Sequence, residues 1–173
     1  MLPLPAAAAV NFLQKSQERL LNKVAPGFDF MPILEVLPQE ISNISLEELS
    51  ERLAEFLKFI YLRSLFPSED VFVPVKKSID EIWHSFIVQT RFYKNLCQAL
   101  PNKNFLHHTT VHLSDFGARH DSALITQQML SWIPKYHQHF GPFTLKSASY
   151  WLMPSYLMEK MGMSLSDVNA LTN

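Results

Sequence analysis

The chain has one cysteine, four glycines and an acid–base balance that almost cancels, and each scarcity removes a class of protein. A single thiol, Cys97, can neither close an intramolecular disulfide nor by itself supply the thiolates of a structural zinc site. Four glycines in 173 residues leave nothing for a collagen repeat or a low-complexity tail, and neither a Walker nor a dinucleotide glycine pattern occurs. With 15 Lys and Arg against 16 Asp and Glu the formal charge is −1. The general attraction to a phosphate backbone is therefore missing, and nucleic acid is not an expected partner. No stretch approaches the ~18 apolar residues that a membrane-spanning helix needs. No GxSxG elbow signals a serine hydrolase.

What is present is the composition of a globular protein, with 47% apolar and 18% charged residues. The length suits a single domain able to bury a sizeable core. The apolar leader MLPLPAAAAVNF lacks a basic segment and is interrupted by Pro3 and Pro5, so it reads as a helix start and not as a cleaved signal. The expectation is a soluble, intracellular protein, in keeping with the lone thiol; secretion without a cleaved signal is compatible with the same residues.

Hydrophobic spacing predicts a mostly α fold: a single-domain bundle of about five helices with a long ordered histidine-rich loop. Ala6 to Val24 forms a first helix ended by Pro26 and Gly27. Residues 28–41, broken by Pro32 and Pro38, read as a packed connector with one helical turn. Ser45 and Glu48 make a capping box for a helix striped by Leu46, Leu49, Leu53, Phe56 and Ile60, which runs to Pro67. Val71 to Val75 contains Pro74 and reads as an extended linker or edge strand. A second capping box at Ser78 and Glu81 opens a helix reaching Leu100. Residues 102–120 form the loop, with Thr109–Leu113 as a short strand. A helix capped by Asp121 or Ser122 runs to Phe140, kinked at Pro134 and stopped by Gly141-Pro142. Segments 145–161 and 164–171 complete the chain, the last capped by Ser164 or Ser166.

The helix from Ser78 to Leu100 carries the informative residues. At about 100° per residue, Ile79, Ile82, Trp83, Phe86, Thr90, Tyr93, Leu96 and Cys97 share one broad arc that must face the core. His84 falls roughly 160° from the centre of that arc by the same arithmetic, with Asp80 one turn before it and Arg91 two turns after. One reading is a solvated face with an i,i+4 Asp–His pair. The other is a cleft in which Asp80 orients and charges the imidazole. His107, His108, His112, Asp115 and His120 follow in the loop, and His is the commonest neutral metal ligand. A helix and a loop together could present His84, His107, His108, His112 and a carboxylate to a divalent metal, zinc or iron. No HExxH or CxxC spacing marks such a site, and hydrogen-bonded or scattered surface histidines are the alternatives. Trp132, Tyr136, Phe140, Phe143, Tyr150, Trp151 and Tyr156 make an aromatic C-terminal third whose spacing suits a core, with a groove or partner surface as the second reading.

Asp80-Glu81-Ile82-Trp83-His84, then Thr90, Tyr93 and Cys97, then Phe105-Leu106-His107-His108 form a recognisable pattern. It resembles the glycine-rich domain-containing protein-like family of plants and bacteria. Tyr136, Phe140-Gly141-Pro142 and Trp151 resemble that family's downstream segment, so the likeness covers about residues 70–155 and leaves 1–65 as an N-terminal helical extension. It implies that Asp80, Trp83, His84, Tyr93, Cys97, His107 and His108 form one spatial unit. It implies no particular reaction, and the glycine-rich tail of larger plant members is missing here.

Two functional classes follow. In the first, a polar site centred on His84 and Asp80 binds a divalent metal or a small anionic ligand. Arg91, Trp83 and Tyr93 would then stand close to the ligand, with Trp83 and Cys97 also serving as core supports. If that site is catalytic, His84 is its general base or ligand and Asp80 the orienting carboxylate. In the second, the protein is a non-enzymatic interaction module whose histidines are structural and whose working surface is the aromatic third or segment 28–41.

Overall fold

The computed structural model describes residues 6–67, 73–108 and 121–172. His112, Asp115, His120, the strand expected at Thr109–Leu113, and Val71 and Phe72 of the expected linker lie outside the described residues. Among those described, regular structure is helical, and the only extended pairing is an isolated bridge. No described helix is long and apolar enough to cross a membrane. The helices are α1 (Ala6–Val24), α2 (Met31–Glu40), α3 (Leu46–Leu65), α4 (Lys77–Val88), α5 (Thr90–Ala99), α6 (Ser122–Leu130), α7 (Trp132–Phe140), α8 (Leu145–Ala148), α9 (Leu152–Glu159) and α10 (Leu165–Asn169).

Contacts group these elements into two compact units: residues 1–65 with 77–106, and residues 66–76 with 107–173. In the first unit α1 packs on α2 and α3, and α4 packs on α2, α3 and α5. Leu13, Ile33, Leu37, Phe56, Ile60, Ile82 and Phe86 are fully buried at its centre, each worth about 1.5–3 kcal/mol of transfer free energy. The Phe56 and Phe86 rings meet at 4.5 Å, and Phe59 meets Trp83 edge-on at 5.2 Å. Gln17 Nε2 donates to Ser50 Oγ at 2.7 Å and pins α1 to α3. Asn102 Nδ2 donates to the Ser64 carbonyl at 2.7 Å and ties the turn after α5 to the end of α3.

The connector expected at 28–41 is instead the helix α2. Pro32 stands in its first turn, where no amide proton is needed, and the Asp29 carboxylate accepts from Met31 N–H at 2.9 Å. Pro38 does sit inside the helix, but Ile33, Leu34 and Leu37 are buried, and that burial outweighs the missing bond. The helix expected from Ser78 to Leu100 divides at Gln89, whose ψ of 61° is non-helical. No glycine or proline marks the break; the β-branched Ile87, Val88 and Thr90 surround it and weaken helix there.

In the second unit, the helix expected from 122 to 140 is two helices. Proline at 134 cannot bond the Leu130 carbonyl and its ring crowds it, so α6 stops at Leu130 and Pro134 occupies the first turn of α7. The segment expected at 145–161 is likewise divided. A Thr144–Ser147 capping box holds α8, and Trp151 takes an extended backbone before α9. There Val75 bridges Trp151, with Leu152 N–H donating to the Pro74 carbonyl and Lys76 N–H to that of Tyr150, both at 2.8 Å. Pro74 offers only its carbonyl, as an edge proline must. The cap predicted at Ser164 is present, closed by Asp167. Trp132, Tyr136, Phe143, Tyr150 and Trp151 form the core, and Tyr156 is half-exposed. Tyr136 stacks on Phe143 at 3.8 Å. Asn169 clamps this core: its Oδ1 takes the Phe143 N–H and the His137 Nε2–H, and its Nδ2 donates to the Phe143 carbonyl, each at 2.9 Å.

Candidate metal centre

Helix α4 buries Ile79, Ile82, Trp83 and Phe86, which forces the opposite stripe outward. Asp80 and His84, four residues apart, therefore lie side by side on its open face. His84 Nδ1 is 3.5 Å from Asp80 Oδ2; the imidazole is 54% exposed and the carboxylate 25%. A groove of about 580 Å³ opens beside them, walled by Glu40 at the end of α2, by Asn43 of the α2–α3 turn and by Glu81, His84, Ser85 and Val88 of α4. Glu81 is also 3.6 Å from the Arg52 guanidinium, which Glu48 holds at 3.0 Å.

A buried hydrogen-bond network lies behind this face. Trp83 Nε1–H donates to the Tyr93 hydroxyl at 2.9 Å, and that hydroxyl donates to the Leu106 carbonyl at 2.6 Å. Trp83 is 1% exposed, Tyr93 2% and Leu106 5%, so water has little access to any of the three. Burial pushes the Tyr93 phenol well above its usual range, with the neighbouring Cys97 adding to the effect. The Cys97 thiol is raised by burial too, and hydrogen bonds from the Leu106 backbone and the Tyr93 hydroxyl oppose that rise. These groups are thus held neutral, as donors and acceptors and not as nucleophiles.

The chain leaves this network at Leu106, and His107 and His108 come next. Within the first unit, Asp80 and His84 each offer one ligand atom to the same open face of α4. His108 is half-buried and stands two residues beyond an anchored carbonyl, within about 7 Å of chain. Ligand atoms on a tetrahedral zinc ion with bonds of about 2.0–2.1 Å lie about 3.3 Å apart, close to the 3.5 Å between His84 Nδ1 and Asp80 Oδ2.

Of the residues named from sequence, the structure thus brings together Asp80 and His84 on α4. His107 is exposed, and with His108 it belongs to the second unit. Arg91 is exposed on α5, beyond the break at Gln89, and the single-helix register that aligned it with His84 does not carry across. Trp83 and Tyr93 are interior groups that support the face from behind. The groove wall at Glu40 and Asn43 had no sequence signal, because it depends on α2 being a helix. Comparison with family models, curated proteins and solved structures finds no match.

Proposed function

We propose that the protein binds a divalent metal ion on the Asp80–His84 face of α4, with zinc or ferrous iron as the fitting ions. The observation that carries this reading is the approach of the His84 imidazole to 3.5 Å from the Asp80 carboxylate, beside a groove that Glu40 and Glu81 also line. An imidazole and a carboxylate suit both metals, and so small a protein set leaves coordination positions for water or a ligand. The adjoining groove lies within the usual size range of small-molecule sites, about 300–1,000 Å³, and His84 belongs to its wall. Glu40 and Glu81 disfavour a free anion there, so an anionic ligand would be held by the metal itself. In such a site the ion would polarise a bound oxygen and Asp80 would fix the His84 ring.

Elemental analysis of protein purified without chelator tests this. About one equivalent of zinc or iron is expected, lost in His84→Ala without loss of fold. A metal-free protein that also fails to take up zinc, cobalt or ferrous iron on titration refutes the reading.

A further inference from the structure

Another cavity lies in the first unit, at the corner between α1 and α2. Gly27, at a φ of 74°, turns the chain there. Residues 28–31 and the last turns of α1 thereby line one space of about 260 Å³, which shares no residue with the groove beside His84. Leu21, Phe30 and Leu34 are buried and form an apolar floor. The Phe28 and Phe30 rings meet at 5.0 Å with 76° between their planes, which makes an aromatic corner. Glu18 and Asp29 bring two carboxylates to the same wall, and no lysine or arginine stands among its described residues. Two helix ends also meet here with opposite preferences. The C-terminal turn of α1 favours a cation, whereas the first amides of α2 favour an anion. The Asp29 carboxylate accepts from Met31 N–H at 2.9 Å and so occupies the α2 end already. The balance left is for positive charge.

A strongly hydrated ion gains nothing from an apolar floor. A cation clothed in methyl groups gains from the floor, the aromatic corner and the carboxylates together. We infer that this cavity binds a small molecule carrying a quaternary, methylated ammonium group, seated against the Phe28–Phe30 corner with Glu18 and Asp29 as countercharge. The inference is independent of the metal reading above. An aromatic contact to such a cation multiplies affinity by roughly 2–30-fold, and an exposed ion pair by about 1.4–5-fold.

The test is titration of the full chain with choline chloride at constant ionic strength, followed by amide NMR. The comparison ligand is the neutral alcohol in which carbon replaces the choline nitrogen. Choline should shift amides within residues 14–34 saturably, with a Kd of about 0.1–10 mM. It should bind about 5-fold or more tightly than the neutral alcohol. Glu18→Gln should weaken choline by roughly 1.4–5-fold and leave the alcohol unchanged. Glu47→Gln makes the same charge change at an exposed α3 residue off the wall, and should alter neither. Phe28→Leu should weaken choline by roughly 2–30-fold. Equal affinity for choline and the alcohol overturns the inference, and that comparison needs only wild-type protein should Phe28→Leu not fold. Choline shifts that do not saturate, that fall outside this segment, or that persist unweakened in both Glu18→Gln and Phe28→Leu overturn it too.

Discussion

Replacing Tyr93 by Phe removes one oxygen atom from the interior and leaves two buried groups without their partner. The Trp83 indole N–H loses its acceptor at 2.9 Å and the Leu106 carbonyl its donor at 2.6 Å. Both residues are 5% exposed or less, so water cannot readily replace the hydroxyl. Each orphaned group costs about 1–3 kcal/mol, and the pair together roughly 2–6 kcal/mol. In a chain of this size each kcal/mol lowers the melting temperature by about 2–4 °C, so a fall of roughly 4–24 °C is expected. Thermal and urea melts of the metal-free protein, followed by circular dichroism, measure it. Tyr156→Phe is the control: its ring is 51% exposed, and its change should stay within about 0.5 kcal/mol. A Tyr93→Phe protein as stable as that control would show that the network contributes nothing, and the rigid backing assigned to the α4 face would be wrong.

Three other outcomes follow from the second unit and from Cys97. Asn169→Ala removes a clamp of three hydrogen bonds around Phe143 and should destabilise by about 2–4 kcal/mol in denaturant melts. Gly141→Ala should cost about 1–3 kcal/mol through backbone strain alone, because φ is +80° and an added Cβ would meet nothing within 4 Å. Cys97 is fully buried with its thiol raised by desolvation. A thiol-specific chromophore should therefore label it only after unfolding, and rapid labelling of the native protein would contradict its placement.

The readable parts of the fold were those governed by local chemistry. The first helix, the caps at Asp121 and Ser164 and the outward turn of His84 all follow from nearest-neighbour rules, and the structure contains them. Prolines were harder to weigh, since their cost depends on position within the turn. Pro32 begins a helix, Pro38 is tolerated by burial of its neighbours, and Pro134 breaks a helix at the carbonyl four residues earlier. The break at Gln89 carries no strong breaker residue, so a single continuous arc was the natural reading from Ser78 to Leu100. At the site, the i,i+4 pairing of Asp80 and His84 was legible because one helix supplies both. The Tyr93–Leu106 bond was not, because a backbone carbonyl has no signature in sequence.

Anomalous diffraction from crystals grown with zinc, with data collected on both sides of the zinc absorption edge, tests the metal assignment most directly. A single strong peak is expected about 2.0–2.2 Å from a His84 nitrogen and an Asp80 oxygen. A map without density there, or with His84 turned away from Asp80 while zinc sits elsewhere, would contradict the assignment.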